Sequence, residues 1–220
     1  KQNKLMVNQF QEEKSQQVYA LIDRGRSMQM PFNGLSLLDY AINSALVLLN
    51  VALRNEDKVG MLSFSKKVAN QVLAHKRGNQ MEIIQNALYN IDTDYSESDY
   101  GKLYTFVNSK VKRSLLLLFT NFESEDALKR QLPYLRALAK SHVLVLIFFE
   151  NTEISEATNM KCDNVSDIYL KTFAQKFANE KKRMVQELRK FGIQSVLSKP
   201  EDLSVNSINK YLELKSRGMI

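Results

Sequence analysis

Cysteine, tryptophan, proline and glycine are all scarce in this 220-residue chain, which has one Cys, no Trp, three Pro and seven Gly. A single cysteine, Cys162, excludes an intrachain disulfide framework, so the fold must rest on a packed core. The two histidines, His75 and His142, form no Cys/His signature with it. Cys162 therefore reads as an inert residue, compatible with a reducing compartment. No run reaches the ~18 apolar residues of a membrane span; the longest is Val143 to Phe149. The phosphate loops G-x-G-x-x-G and G-x-x-x-x-G-K-[ST] are absent, as is the nucleophile elbow G-x-S-x-G. There is no internal repeat, low-complexity tract or interdomain linker. No signal peptide opens the chain, and its start at Lys1-Gln2-Asn3 reads as the interior of a longer protein.

The hydrophobic fraction of 44% and charged fraction of 25% are ordinary for a globular protein. The length suits one α/β domain spanning residues 1–220. A net charge of +7 would suit an acidic partner. The basic residues are scattered, however, and the densest group, Lys181-Lys182-Arg183, reads as a solvated helix face. No basic, aromatic-rich module points to nucleic acid, which is not expected as a partner.

Five near-continuous apolar runs predict strands buried on both faces: Val18–Ile22, Lys58–Phe64, Ser114–Phe119, His142–Phe149 and Gly192–Leu197. Val68–Leu73 alternates more and predicts an antiparallel edge strand. Helical spacing covers Leu37–Arg54, Gln80–Asn90, Asp99–Ser109, Glu125–Lys140, Asp167–Phe191 and Leu203–Arg217. Gly192 is placed to cap the fifth, and Ser204 to Ser207 are available to cap the sixth. Strands alternating with helices imply right-handed crossovers. The expected fold is a three-layer α/β/α Rossmann-like sandwich, with a mostly parallel six-stranded sheet and one antiparallel edge strand. Ligands of such sheets bind at the C-terminal strand ends. That rule directs attention to the loops at Asp23–Ser27 and Thr120–Glu123.

The first strand runs into Asp23-Arg24-Gly25-Arg26-Ser27-Met28. Further along come Leu37-Leu38-Asp39-Tyr40-Ala41, Asp57-Lys58-Val59-Gly60-Met61-Leu62-Ser63-Phe64-Ser65 and Asn209-Lys210-Tyr211-Leu212-Glu213-Leu214-Lys215, with Leu5-Met6-Val7-Asn8-Gln9-Phe10 at the start. In this order and spacing they resemble the von Willebrand factor A-like domain of the bacterial domain of unknown function 58 family, over essentially the whole chain. The resemblance implies a longer membrane-associated parent protein with N-terminal membrane segments and this domain on the cytoplasmic face. It also implies a MoxR-type AAA+ ATPase as a partner.

It implies a metal-ion adhesion site too, in which an Asp-x-Ser-x-Ser loop, a Thr and a further Asp hold Mg²⁺ or Mn²⁺ through hard oxygen ligands. Carried over by position, Asp23 and Ser27 match, Thr93 falls near the Thr position, and Thr120-Asn121 stands where a Thr-Asp pair belongs. Gly25 replaces a ligating Ser, and Asn121 replaces a carboxylate. The metal set Asp23, Ser27, Thr93 and Asn121 thus reads as degenerate, lacking one hydroxyl and one negative charge. Arg24 and Arg26 flank the loop and would repel a cation if turned inward. The alternative role for Asp23 is to accept backbone N–H groups of its own loop, with Ser27 supporting the next segment.

Arg24, Gly25, Arg26, Met28, Thr120 and Glu123 make up a candidate partner-binding rim. Met28, with Met30, Pro31 and Phe32, reads either as an apolar lip or as buried packing. The acidic loop Asp92, Asp94, Glu97 and Asp99 reads as solvated, with a cation or a basic partner as the alternative occupant. No catalytic set stands out, because neither histidine has a paired carboxylate or nucleophile. The expectation is a non-enzymatic interaction module without a required cofactor. The competing reading is a metal-dependent hydrolase working between Asp23 and Asn121 with an activated water.

Overall fold

The computed structural model describes residues 15–150 and 164–219; the Leu5–Phe10 motif and Cys162 lie outside them. The described elements are β1 (Gln17–Asp23), β2 (Pro31–Phe32), β3 (Leu35–Ser36), α1 (Leu37–Arg54), β4 (Lys58–Phe64), β5 (Val68–His75), α2 (Gln80–Leu88), α3 (Tyr100–Lys110), β6 (Leu115–Phe119), α4 (Glu125–Ser141), β7 (Val143–Phe149), α5 (Val165–Lys190), β8 (Gln194–Ser198) and α6 (Leu203–Ser216). Six strands form one sheet in the order β5-β4-β1-β6-β7-β8. Every neighbouring pair is parallel except β4 with β5, which is the architecture expected.

The apolar runs owe their continuity to burial on both faces. Along β1, Val18, Ala20 and Ile22 enter a core shared with α1, α2 and α6. Tyr19 and Leu21 enter a second core shared with α3, α4 and α5. Each buried Leu or Ile contributes roughly 1.5–3 kcal/mol, so both halves of the period-2 pattern must be apolar. At the edge, β5 alternates between buried and exposed residues, and its pairing with β4 is interrupted by two register shifts.

Local signals set the boundaries. Ser36 and Asp39 form a reciprocal capping box at the start of α1. At the end of α5, Gly192 adopts φ +72°, and Ile193 N–H donates to the Leu188 carbonyl at 3.1 Å, closing a Schellman cap. His142 caps the C-terminus of α4 instead of opening β7. The N-cap of α6 is Asp202, which makes no side-chain cap bond. The serines expected to cap α6 lie inside the helix, where Ser207 is buried against Ser44 of α1. A two-residue hairpin, β2 with β3, was not anticipated. Its signal is Asn33-Gly34, both at positive φ, the pairing that a type I′ turn demands.

Two segments quoted for the family resemblance meet at the edge of the sheet where the parallel strands begin. Asp57 is fully buried. It accepts hydrogen bonds from Tyr211 Oη at 2.6 Å, Lys215 Nζ at 3.0 Å and the Gln16 N–H at 3.0 Å. A buried carboxylate needs such partners, and here they fasten α6 to the start of β4. Tyr211→Phe should therefore lower unfolding free energy by about 1.5–3 kcal/mol, the range for a hydrogen bond to a charged group. Urea denaturation with an unchanged m-value would check this; wild-type stability in the variant would show that the cluster does not anchor α6.

Candidate functional site

The connection after β1 leads to β4 on one side, while β6 lies on the other, so the sheet has its topological switch point between β1 and β6. Parallel register pairs Ile22 with Phe119, which sets Asp23 beside Thr120 at the C-terminal edge. A cleft of about 290 Å³ opens there, lined among others by Arg26, Ser27, Ser98, Asn121, Glu123 and Arg130.

Asp23 lies at its floor, 1% exposed. One carboxylate oxygen accepts from the Gly25 N–H at 2.8 Å and from the Ser98 hydroxyl. The other accepts from Thr120 Oγ1 at 2.6 Å and Tyr100 Oη at 3.2 Å. Tyr100 Oη and Thr120 Oγ1 also lie 2.6 Å apart; each has one proton, so the hydroxyl that donates in this contact does not donate to Asp23 at the same time. Burial pushes the Asp23 carboxyl up by more than the bonds from Ser98, Thr120, Gly25 and Tyr100 pull it down. Burial and the adjacent Asp23 charge raise the Tyr100 phenol well above its ordinary value.

The loop before α3 supplies this cage. Arg26 N–H donates to the Ser96 carbonyl at 2.9 Å, and Asp94 N–H donates to the Arg24 carbonyl at 3.2 Å, so the loop runs along residues 24–26. Its acidic residues are all engaged. Asp94 accepts from Ser65 and Ser96, and Asp99 caps α3 through Lys102 N–H at 2.9 Å. Asp92 accepts the Thr93 N–H at 2.7 Å, and Glu97 faces Arg130 at 3.5 Å. The hydroxyl that this loop delivers to the cleft belongs to Ser98. Thr93 is buried and does not line the cleft.

Gly25 has a steric reason. A Cβ there would collide with the Ser98 hydroxyl and lie 3.0 Å from the Ser96 carbonyl oxygen. The space of the missing side chain is thus filled by Ser98, whose hydroxyl reaches the same carboxylate.

At the end of β6, Asn121 Oδ1 accepts from Lys181 Nζ at 2.7 Å, and Nζ also donates to the Phe122 carbonyl at 2.7 Å. The ammonium lies 5.6 Å from the centre of the Phe148 ring, a cation–π distance. Burial pushes the Lys181 amine down to about 8, against the opposing pull of Glu123. Lys181 is therefore no part of a solvated face. It shares a helical face with buried Met184 and Leu188, a phase legible as the spacing 181, 184, 188.

The expected rim is redistributed. Met28 is fully buried within the core on the α1 side, and Thr120 is fully buried against Asp23. Neither can meet a partner, and of the proposed lip Met30 and Pro31 are exposed. Arg24 Nε is buried without a hydrogen-bond partner. Arg26 and Glu123 face each other across the mouth at 3.7 Å, both more than half exposed, in a pair worth at most about 1 kcal/mol. Ser98, Tyr100 and Lys181 are the participants that sequence reasoning missed. His75 ends antiparallel β5, and His142 precedes β7, so both histidines lie at the edge opposite the cleft.

The donors present suit a hydrogen-bonded cage better than a divalent ion. Each oxygen of Asp23 already faces two donor groups, Gly25 offers no ligand, and Asn121 is held by an ammonium. Among the described residues, no three His, Cys, Asp or Glu side chains converge as metal ligands.

Comparison with known folds identifies the class first. The VWA domain of SpRpn10 superimposes with a TM-score of 0.53 at 9% identity, over 90% of this chain and 95% of that one. The conserved hypothetical protein BatB from Bacteroides thetaiotaomicron gives a TM-score of 0.53 at 16% identity, over 90% and 100%. The fold is that of a von Willebrand factor A-like domain. The family model described as protein of unknown function DUF58 matches residues 1–161, and the chain belongs to that family. No curated protein matches the sequence.

A raised folded-state pKa at Asp23 has a defined sign. Its contribution to stability is fully present below the ordinary value of 3.8 and is lost as pH rises through the folded value. The stability of wild type relative to Asp23→Asn should therefore be greatest in acid and fall towards neutrality. Urea titrations of both proteins across that range check it, and a difference that grows with pH would contradict the assignment.

Proposed function

We propose that this domain is a non-enzymatic protein-interaction module that receives its partner at the C-terminal edge of the sheet. The observation that carries this reading is the upper half of α5. The helix returns antiparallel to the strands, and Lys181 is bonded at the end of β6. Residues 165–180 precede that point by about 24 Å of helix. The face that buries Met184 and Leu188 lower down continues as Leu170, Phe173 and Phe177, which are 53%, 57% and 44% exposed. Tyr169 and Ile168 beside them are exposed as well. An exposed apolar stripe of this extent is the signature of a docking surface. Lys176, Lys182 and Arg183 on the same helix favour an acidic partner surface.

In this reading, which leans on the family resemblance, the partner is a MoxR-type AAA+ ATPase and the domain works at the cytoplasmic face of the membrane in its parent protein. The degenerate metal-ion adhesion site then serves as the rigid floor of the interface. The enclosed Asp23 carboxylate and the distance of both histidines from the cleft favour this reading over a metal-dependent hydrolase.

Binding of a purified MoxR-type ATPase, measured by interferometry, should weaken at least about tenfold, or 1.4 kcal/mol, in Phe173→Asp/Phe177→Asp with the circular dichroism spectrum unchanged. Equal binding by both proteins would remove the α5 face from the interface. No binding by wild type would remove this class of ATPase.

A further inference from the structure

We propose that the Asn121 corner beside the cleft is organised by the protein's own cation, the Lys181 ammonium delivered from α5, and needs no divalent ion. Three independent observations converge on it. First, Nζ donates to Asn121 Oδ1 and to the Phe122 carbonyl, both at 2.7 Å, so one positive group collects two oxygens at the end of β6. Second, Asn121 is a neutral residue at a position where a carboxylate would pair with that ammonium. A neutral acceptor orients the amine without a second buried charge. Third, the rest of the crevice is closed to metal. Asp23 is already enclosed by four donor groups, and Ser98 occupies the volume where a hydroxyl on residue 25 would stand. A divalent ion entering beside Asn121 would meet like-charge repulsion in a partly desolvated setting.

The consequence is an edge whose geometry does not respond to Mg²⁺ or Mn²⁺. Partner binding at the rim should then be equal with and without chelator. The inference concerns the floor of the edge used in the interaction reading, but its test contains no partner, so either can fail alone.

The test has two arms. In wild type, the amide resonances of Gly25, Ser27 and Asn121 should keep their intensity when Mn²⁺ is added to millimolar concentration. Selective broadening that Mg²⁺ reverses would overturn the proposal. In Lys181→Ala, the melting temperature should drop, and methylammonium should restore at least half of the loss by entering the vacated volume and binding the two oxygens. Tetramethylammonium, which has no N–H, should restore none. A folded Lys181→Ala that loses no stability, or that responds equally to both cations, would overturn it. If the alanine variant does not fold, Lys181→Met keeps the apolar stem, and the Mn²⁺ arm on wild type still decides.

Discussion

A carboxylate buried at the C-terminal edge of a parallel sheet must be fully hydrogen-bonded or give up its charge, and the upper half of this domain is built around meeting that demand for Asp23. Its four donor groups come from four places: the turn after β1, the loop before α3, the first residue of α3, and the residue that follows β6. One side chain thus ties together segments separated by up to 97 residues. The aromatic contacts of Tyr100 with Phe64, edge-on at 5.4 Å, and with Phe122, stacked at 5.9 Å, close the remaining volume beneath the cleft. The opposite edge repeats the logic at Asp57, where a tyrosine, a lysine and a backbone N–H meet one buried carboxylate.

The layered fold is legible in the sequence because its cause is local. Burial on both faces makes β1, β4, β6 and β7 continuous apolar runs, and one alternating run marks the half-exposed β5. Helical spacing places α1 to the residue. Asp23 is legible too, because a charged residue closing such a run must be satisfied or functional. The Asn33-Gly34 hairpin was readable from a dipeptide and was simply outweighed by longer patterns.

The loop N–H expected to reach Asp23 is that of Gly25, but Ser98 and Tyr100 were not legible as its partners, for a physical reason. Ser98 and Tyr100 belong to a polar loop without periodicity, and their contact with Asp23 spans 75 and 77 residues. The same loop contains Thr93, whose type fits a metal ligand, and nothing in residue type alone distinguishes the hydroxyl that faces the cleft from one that is packed away. Lys181 misleads in a different way. It stands in a basic run that resembles a wet helix face, yet a long aliphatic stem lets its charged end reach buried oxygens while the helix stays amphipathic. Its spacing to Met184 and Leu188 was the better guide than its charge.

The occupation of the Gly25 volume by Ser98 has a consequence for how this sequence can change. A serine at position 25 would recreate a hydroxyl in the turn, but its Cβ meets a neighbour that already fills the space. Position 98 would have to become smaller first, and that step removes a donor from a buried carboxylate. Beyond Ser98, the Ser96 carbonyl oxygen lies 3.0 Å from that Cβ; it is backbone and stays there whatever stands at position 98. Glycine and serine thus divide one task across the turn: Gly25 leaves the volume open, and Ser98 fills it with a hydroxyl bonded to Asp23.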